Sequence, residues 1–432
     1  MGVRAEPATQ YRYWPSGNAL AGPARVLAAW LVSCILARWM KRVLFVIKAR
    51  EFGGLEVVLL DWLSQIDFDK VSAVLCCYGT DTLQRKLRSI APRAEIVPMP
   101  VQPDANPFAA LPKWARLFTS IRADKIVFLE SAVADFGGTP LIAAWLAAPG
   151  HVILFEASWG RAVIASQHPR KLHYGFLPGL GLYRRAERLL IRGRSRLAKR
   201  TFVVSEGLRD KLFAHYGYPR ARTSILYHGV NTNRFRASTS EREQFRDKNS
   251  IPQDATLIVN HCRLVRIKRV DRLVGAFEQL RDDPRVWLVL TCYGPLENEI
   301  KRMVADSPAR ARIRLVGFQE DSTAILSAGD IFCLTSDDEG FGIALVEALS
   351  SGLICVATNS SGPKEILAGG EFGFLVEPTV EGVRGGIQRA LALTRAERTR
   401  MVERARSMVQ SRFEVKKAIQ TALDALEIPR RK

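Results

Sequence analysis

Two glutamates eight residues apart frame the stretch Asp338-Glu339-Gly340-Phe341-Gly342-Ile343-Ala344-Leu345-Val346-Glu347, in which Gly-Phe-Gly follows the first glutamate. The apolar run 331–335 before it predicts a short buried strand, and residues 343–349 predict a helix that Gly352 stops. Glu339 is then expected on the loop at the C-terminal end of the strand, and Glu347 one or two turns into the helix. Free N–H groups and the positive end of the helix dipole at this loop suit a phosphate group.

A basic pair lies upstream, just after a predicted strand that ends at Asn260. Arg263 and Lys268, five residues apart on a strand-to-helix loop, can bind a diphosphate, because Arg offers a planar fork and Lys a point charge. By itself, such a loop is more typical of a solvated basic surface. In the same domain as the glutamate loop it favours a diphosphate clamp, and we expect Arg266 and Arg269 to be solvated.

A third candidate loop, Phe52-Gly53-Gly54-Leu55-Glu56, follows the first predicted strand, 43–47. Glycines at this position let backbone N–H groups approach a ligand at the start of the next helix, which is predicted from about residue 56 to 65. The alternative is an ordinary tight turn. The loop lacks the glycine fingerprint of dinucleotide-binding proteins, which argues against a nicotinamide cofactor.

Strand-like and helix-like segments alternate along the chain, which indicates α/β domains with parallel sheets. The predicted strands form two series: 43–47, 73–78, 125–129, 152–155, 201–205 and 224–227, then 255–259, 286–291, 313–316, 331–335 and 353–357. We expect an α/β fold of two doubly wound, Rossmann-like domains that face each other across a cleft, with ligands at the C-terminal edges of the strands. The expected segments are an extension at 1–39, a first domain at 40–236, a linker at 237–252, a second domain at 253–415, and a helix at 416–432 that returns to the first domain.

Positive charge is concentrated in the first part of the chain. The formal net charge is +20; residues 1–236 hold 34 Lys and Arg against 16 Asp and Glu, whereas residues 237–432 hold 29 against 27. Two interpretations stay open: a general preference for arginine, or a surface that faces an anionic membrane or polyanion. No helix-turn-helix, zinc or RNA-binding signature accompanies the charge, so we do not expect nucleic acid as a partner.

The segment 160–200 carries 11 Lys and Arg and one acid. Helical spacing predicts an apolar face made of Leu182, Ala186, Leu189, Leu190 and Leu197, and a basic face made of Arg185, Arg188, Arg192 and Arg196. This pattern is typical of a helix that lies on a membrane surface. The alternative is a helix that packs on its own sheet and leaves the basic face in solvent.

Residues 1–39 include an apolar run, 26–37, of about a dozen residues, which is too short to span a bilayer. We expect either that Met40 is the true start of the protein or that this segment is an interfacial anchor helix. The seven cysteines have no metal-ligand spacing, and most lie in apolar runs. Buried thiols of this kind fit a reducing cytoplasm, and we expect no metal site.

Taken together, these residues resemble the retaining glycosyltransferases of the GT-B fold, in the large family 4 group, over roughly residues 40–425. The segment Glu339 to Glu347 is similar to the family's Glu-x7-Glu motif, and Arg263 with Lys268 is similar to its Arg-x4-Lys diphosphate pair. Flanking matches are 330–336 and 361–366, and looser ones are 53–56, 203–206 and 228–231 with Phe235. The sequence departs from the family at Cys262 and Cys292 (usually Gly), His228 (usually Asn) and Glu156, where the usual His contacts the sugar or acceptor.

The resemblance implies a metal-independent retaining glycosyltransferase that uses a nucleotide-diphospho-sugar and no other cofactor, with the acceptor on the first domain and the donor on the second. It implies that Arg263 and Lys268 neutralise the leaving diphosphate. Glu339 would bind the hydroxyls of the donor sugar and orient C1, and Glu347 would bind the ribose. The remaining donor-binding groups would be Gly53, Gly54, Gly340, Phe341, Gly342 and Leu345, with Gly317 and Phe318 beside the base.

The expected partners are a nucleotide-sugar donor, an unknown acceptor that is a glycan or a lipid-linked glycan, and an anionic membrane surface. Such an enzyme would act in cell-surface polysaccharide or glycolipid synthesis, in the cytoplasm or peripherally on the inner face of the membrane. One alternative is a sugar-nucleotide epimerase or hydrolase of the same fold. Another is a non-catalytic basic scaffold that binds a membrane or polyanion through residues 160–200. The intact set of Glu339, Arg263 and Lys268 argues against the scaffold.

Overall fold

The computed structural model describes residues 40–431, apart from 49–52, 80, 102–106, 132–137, 159–179 and 281–282. The side chains of 107–108 and 180–188 also lie outside the described part. The predicted extension at 1–39, Phe52 and the predicted face residues between 182 and 188 therefore fall outside it. Residues Lys41–Lys432 form one compact unit that contains two sheets.

The first sheet has seven parallel strands in the order β3-β2-β1-β4-β5-β6-β7. They are β1 Lys41–Ile47, β2 Val71–Cys77, β3 Glu95–Pro98, β4 Lys125–Glu130, β5 Val152–Glu156, β6 Arg200–Val203 and β7 Thr223–Ile225. The helices are α1 Gly54–Gln65, α2 Asp81–Ile90, α3 Pro107–Ile121, α4 Thr139–Ala147, α5 Leu180–Leu197 and α6 Glu206–Tyr216. Buried side chains of α3 and α4 pack on one face of this sheet, and those of α1 and α2 pack on the other.

The second sheet has six parallel strands in the order β10-β9-β8-β11-β12-β13. They are β8 Thr256–Asn260, β9 Val286–Thr291, β10 Ile313–Val316, β11 Ile331–Leu334, β12 Ile354–Thr358 and β13 Phe374–Val376. Its helices are α7 Thr239–Lys248, α8 Val270–Glu278, α9 Glu297–Asp306, α10 Thr323–Ala328, α11 Ile343–Ser351, α12 Ser361–Ile366, α13 Val380–Leu391 and α14 Arg395–Arg412. None of the helices in the described part combines the length and apolar composition needed to cross a bilayer.

The strand order reverses beside the first strand of each series. In the first sheet β1 lies between β2 and β4, and in the second sheet β8 lies between β9 and β11. This is the doubly wound arrangement, so the predicted fold class is confirmed. At such a reversal the two flanking loops run to opposite sides of the sheet and leave a crevice at the C-terminal ends of the strands.

Two strands, β3 and β13, are absent from the predicted series. Each lies at the edge of its sheet and pairs on one side only. Both are short, and the residues of β3 are exposed or half-buried. An edge strand needs no continuous apolar run, so the pattern that identified the central strands does not apply to it.

The polar stretch 237–252, which the sequence predicts as a linker, contains helix α7. Ser238 caps this helix by accepting a hydrogen bond from the N–H of Glu241 at 3.3 Å. Arg246 in α7 is fully buried and donates to the carbonyl oxygens of Ala328 and Ala255 at 2.8 Å each and to the Asp330 carboxylate at 2.9 Å. The stretch is thus part of the second half of the molecule. Its buried arginine fixes it there through hydrogen bonds, as a buried apolar side chain would do through packing.

The chain crosses between the two halves at two adjacent places. The N–H of Val230 donates to the carbonyl of Phe413 at 2.8 Å, and the N–H of Val415 donates to the carbonyl of Val230 at 3.1 Å. A Cβ atom on Gly229 would lie 2.5 Å from the Cα atom of Val415. Only glycine therefore allows the two crossing segments to pair this closely.

The last helix, α15 Val415–Ala425, lies against α1 of the first half. The Nζ of Lys125 is 2.5 Å from the Glu427 carboxylate, and the N–H of Asp67 donates to the carbonyl of Pro429 at 3.0 Å. The C-terminal residues therefore complete the first half, although they follow the second half in sequence.

The buried bonds of Arg246 predict a large loss of stability in Arg246→Ala. Removing the guanidinium leaves several carbonyls and the Asp330 carboxylate without their buried partner, which costs about 3–5 kcal/mol. Arg242→Ala is the matched control, because its side chain, 29% exposed, also bonds Asp330 and should cost less than about 1 kcal/mol. Urea unfolding measures both, and equal losses for the two variants would contradict the assignment.

Candidate active site

Glu339 and Lys268 are in direct contact. Glu339 lies on the loop between β11 and α11, and its Oε2 atom is 2.5 Å from the Nζ of Lys268. The Ser336 hydroxyl donates to the same oxygen at 3.1 Å. Burial disfavours the charged amine, but the Glu339 carboxylate outweighs it, so the pKa of Lys268 is raised. The structure thus brings two of the three predicted catalytic residues together as a charged pair.

The loops that carry this pair are joined by hydrogen bonds. The Thr335 hydroxyl donates to the carbonyls of Lys268 at 3.1 Å and Arg269 at 2.9 Å. Arg269, which the sequence predicts to be solvated, bonds Asp271 at 2.8 Å and Asp337 at 3.3 Å. Its side chain is 33% exposed, so Arg269 is partly solvated and partly engaged by these two carboxylates. The side chain of Arg266 is 55% exposed, as predicted.

Arg263 lies on the same loop, between β8 and the turn that ends at Lys268. The next residue, Leu264, donates its N–H to the carbonyl of Tyr293 at 2.8 Å, and the N–H of Leu296 donates to the carbonyl of Leu264 at 3.1 Å. The loop after β8 is therefore fixed to the loop after β9. Both cations of the predicted clamp start from a backbone that its neighbours hold in place.

Glu347 lies on the second turn of α11, where the Ser322 hydroxyl donates to its carboxylate at 3.2 Å. Burial raises the pKa of Glu347 to about 7, and the positive charge of Arg234 partly opposes this rise. Asp61 of α1 adds a second carboxyl at this place, and burial raises its pKa to about 6. Arg234 also pairs with Asp321 at 3.0 Å. Two half-buried acids from different halves of the molecule thus lie within the electrostatic influence of one arginine.

Sequence reasoning missed Asp61 and Arg234. The only available signal was the position of Asp61, a single acid within the apolar run 57–63. A lone polar residue in an apolar helix usually faces solvent, whereas α1 turns Asp61 toward the second half.

The glycine loop of the first half approaches the start of α11. A Cβ atom on Gly54 would lie 3.0 Å from the Cδ1 atom of Ile343. The N–H of Gly53, predicted to bind the donor, instead donates to the carboxylate of Glu56 at 3.0 Å. This bond closes the first turn of α1, so the Gly53 amide already has a partner in the structure.

Gly342 is the N-cap of helix α11, and its φ of 105° and ψ of 60° place it in the left-handed region. No side chain caps the helix. The N–H of Leu345, predicted to bind the donor, donates to the carbonyl of Gly342 at 3.0 Å, so it is not available to a ligand. Within the described part of the chain, the amides of Ile343 and Ala344 keep no acceptor, because the first N–H groups of a helix have none inside it.

Gly340 and Phe341, also predicted to bind the donor, lie where the two halves meet. A Cβ atom on Gly340 would lie 2.0 Å from the carbonyl oxygen of Ala157, and the Ser205 hydroxyl donates to the carbonyl of Gly340 at 2.6 Å. The buried ring of Phe341 packs against His228 with ring centroids 5.5 Å apart. These two residues hold the glutamate loop against the first half.

Gly317 and Phe318 lie on the loop after β10. Both residues are exposed, and the ring of Phe318 packs edge-on against Tyr293 with centroids 4.9 Å apart. Phe318 is 47% exposed, which leaves part of its side chain accessible to a planar group, as the predicted position beside a base requires. No group of three or more His, Cys, Asp or Glu side chains in the described part is arranged to hold a metal ion.

Two family models match the chain. The model for "Glycosyltransferase Family 4" matches residues 52–234, and the model for "Glycosyl transferases group 1" matches residues 241–408. The chain belongs to the group 1 and family 4 type of glycosyltransferases. The matched regions correspond to the two halves of the fold.

Proteins similar to this chain include two from bacteria. N-acetyl-alpha-D-glucosaminyl L-malate synthase of Bacillus anthracis is 28% identical over 178 residues, which are 41% of this chain and 46% of that protein. The lipopolysaccharide core biosynthesis glycosyltransferase LpsE of Rhizobium meliloti is 30% identical over 169 residues, 39% of this chain and 48% of that protein. The chain thus spans about half the length of the curated relatives it matches.

A solved structure shares the fold of the glycosyltransferase over most of its length. Anabaena Alr3699/HepE, in complex with UDP and glucose, superposes with a TM-score of 0.71 at 19% identity. The match covers 90% of this chain and 99% of that one. It shows the GT-B architecture of two parallel-sheet domains.

The departures at Glu156 and His228 have structural reasons in this glycosyltransferase. The fully buried Glu156 accepts hydrogen bonds from Arg194 at 3.2 Å and from the Tyr218 hydroxyl at 2.8 Å. Arg194 also pairs with Glu130. His228 is buried against the ring of Phe155, and burial lowers its pKa to about 3, so the imidazole stays neutral. Glu156 therefore belongs to a buried ion cluster rather than to the cleft.

The raised pKa of Glu347 predicts a pH-dependent stability effect of Glu347→Gln. The pKa of this carboxyl is 4.5 in the unfolded chain and about 7 in the folded protein. Its ionisation therefore destabilises the folded state. The destabilisation is absent below about pH 4.5 and complete above about pH 7. Glutamine carries no such cost. We expect the stability difference to grow by about 3 kcal/mol in favour of the variant between pH 4.5 and pH 8, measured by urea unfolding.

Glu403→Gln, on the exposed side of α14, is the control. Its stability relative to the parent should change by less than about 0.5 kcal/mol over the same pH range. A Glu347→Gln difference that stays constant with pH would contradict the buried ionisation.

Proposed function

We propose that this chain is a metal-independent retaining glycosyltransferase that moves a sugar from a nucleotide-diphospho-sugar to a hydroxyl acceptor. The observation that carries the proposal is the contact between Lys268 and Glu339, 2.5 Å apart at the reversal of the second sheet. The open start of α11 follows on the same loop. A cation, a carboxylate and free amides at one crevice match a ligand that joins a sugar to a diphosphate.

The leaving diphosphate would lie against Lys268 and Arg263. Both side chains come from a loop that hydrogen bonds fix to the loops after β9 and β11. Fixed positive groups stabilise the charge that develops on the leaving oxygen without having to reorganise. The amides of Ile343 and Ala344 add donors and the positive end of the α11 dipole.

Glu339 would bind hydroxyls of the donor sugar. Its carboxylate lies beside Lys268, so the sugar and the phosphate attached at C1 would contact neighbouring groups. When the donor binds, its sugar hydroxyls donate to the Glu339 carboxylate in place of Ser336 and Lys268, which donate to it here. This places C1 between the two charged groups.

The nucleotide would extend toward Glu347 and Phe318. As a carboxylate, Glu347 accepts hydrogen bonds from both ribose hydroxyls, and the accessible part of Phe318 stacks on the base. The UDP complex of Alr3699/HepE supports a nucleoside diphosphate in a fold of this type. Because ionised Glu347 is the form that accepts two bonds, donor binding strengthens as the pH rises through about 7.

Transfer would take place on one face of the sugar. The bond from the acceptor oxygen to C1 forms while the bond from C1 to the phosphate oxygen breaks, and the acceptor proton passes to that phosphate oxygen. Retention in glycosidases uses two carboxylates about 5 Å apart across the bond. Here Glu339 and Glu347 take different parts of the donor, so the leaving phosphate serves as the base.

The acceptor would be a glycan or lipid-linked glycan bound by the first half, at the inner face of a membrane. Support comes from relatives named for the synthesis of cell-envelope carbohydrates, such as LpsE. The concentration of positive charge in residues 1–236 supports an anionic membrane surface as a second partner.

The diphosphate clamp predicts a selective effect of Lys268→Ala. Loss of a charged hydrogen bond should weaken UDP binding by about 1.5–3 kcal/mol and leave uridine binding nearly unchanged. Arg266→Ala is the matched control, since this arginine is on the same loop but 55% exposed. Calorimetry with both ligands tests this, and an equal loss for UDP and uridine would rule out the clamp.

Metal independence predicts that EDTA leaves transfer unchanged, because Arg263 and Lys268 do the work of a divalent ion on the diphosphate. The assay follows release of nucleoside diphosphate with and without an oligosaccharide acceptor. Release that depends on the acceptor separates a transferase from a hydrolase or epimerase of the same fold. Activity that EDTA abolishes and Mg²⁺ or Mn²⁺ restores would refute metal independence.

A further inference from the structure

Exposed apolar side chains are concentrated on two helices of the first half. Eight large apolar residues of the described part are exposed, and five of them lie on α4 and α5. These are Ile142, Trp145, Leu146, Leu189 and Leu190, and we call them the α4–α5 apolar surface; their exposed fractions are 42%, 38%, 58%, 66% and 73%. Scattered exposed leucines are ordinary, but a cluster of this kind indicates a binding surface.

The sequence predicts a face shared by Leu189, Leu190 and Leu197, either on a membrane or against the sheet. In the structure these three leucines do not form one common face. Helix α5 is anchored through the buried residues Ile191, Arg194, Ser195 and Ala198, and the two leucines next to this anchor point into solvent. Arg194 fixes the rotation of the helix, because it pairs with Glu156 at 3.2 Å inside the first half.

The two helices are neighbours on the molecule. Helices α4 and α5 contact each other, and both cover the sheet face where Leu141, Ala144 and Ala198 are buried. On α4, Ile142, Trp145 and Leu146 follow one another at positions i, i+3 and i+4, so they form one stripe. The apolar side chains of both helices therefore belong to the same side of the molecule.

The charges around this surface have one sign. Residues 189–200 include five basic residues and no acid, and α4 has no charged residue at all. Arg192, Arg196, Lys199 and Arg200 are exposed. An apolar strip with a cationic rim complements a lipid bilayer with anionic headgroups, since the leucines and the tryptophan enter the interfacial layer while arginine contacts phosphate.

We propose that the α4–α5 apolar surface docks this protein on an anionic membrane. The proposal rests on the membrane partner of the proposed function and gives it a site. Trp145, Leu146, Leu189 and Leu190 enter the boundary between headgroups and acyl chains, and Arg192 and Arg196 bind lipid phosphates. Helix α4 begins at the sheet edge where β4 ends, so a docked molecule holds the cleft edge of its first half close to the bilayer.

The test is co-sedimentation of the full chain with phosphatidylglycerol–phosphatidylcholine vesicles. Leu189→Ser with Leu190→Ser should lower the partition coefficient by about tenfold or more, because the two side chains lose the apolar contact. Ile96→Ser is the matched control: Ile96 is 40% exposed on β3, and its loss should leave binding unchanged. Arg192→Glu with Arg196→Glu should weaken binding at low salt and have little effect at about 1 M salt, where the Debye length is about 3 Å.

Several outcomes would overturn the proposal. One is a parent protein that does not bind anionic vesicles, and another is a leucine variant that binds as well as the parent, which would transfer the anchor to residues 1–39. A leucine-dependent dimer in light scattering, without vesicle binding, would assign the surface to a second copy. Thermal unfolding checks that the exposed leucines are dispensable for folding. Calorimetry with UDP uses no vesicles, so failure of docking and failure of the proposed chemistry are distinguishable.

Discussion

The contact between the ammonium group of Lys268 and the carboxylate of Glu339 organises the second half of the molecule. It bridges the loops after β8 and β11, which are neighbouring strands at the reversal of the sheet. At that place the two loops diverge, and one backbone hydrogen bond, from the N–H of Asp337 to the carbonyl of Ile267 at 2.8 Å, joins them in addition to the side-chain contacts. The pair does so at the mouth of the crevice, beside the start of α11, and Thr335 and Asp337 hold the same loops from below.

The two halves meet beside this pair, and the meeting point explains several small residues. Gly340 allows the carbonyl of Ala157 to approach, and the hydroxyl of Ser205 bonds the carbonyl of Gly340 at 2.6 Å. Lys211 of the first half pairs with Asp338, next to Glu339, at 2.5 Å. The glutamate loop is thus held from both sides, and its position depends on the first half as much as on its own sheet.

The sequence was sufficient for the features that apolar patterning and loop position determine, namely the central strands, the reversal of each sheet, and the placement of Glu339, Glu347 and Lys268. It was insufficient where local hydrogen bonds or burial decide. The amides of Gly53 and Leu345 are engaged by Glu56 and Gly342, which no pattern reveals. Arg246 makes a polar segment part of a core, and Arg194 turns α5 so that its leucines face solvent. In these last two segments, a buried arginine makes the burial of the segment differ from what its polarity alone indicates.

The paired segments at Val230 and Phe413–Val415 have a mechanical consequence. Both connections between the halves run side by side and are joined by two backbone hydrogen bonds, so they form one narrow, paired connection. Sliding of one half past the other would break this pairing. Glycine is required at position 229 in this connection, since any side chain there would push the two segments apart.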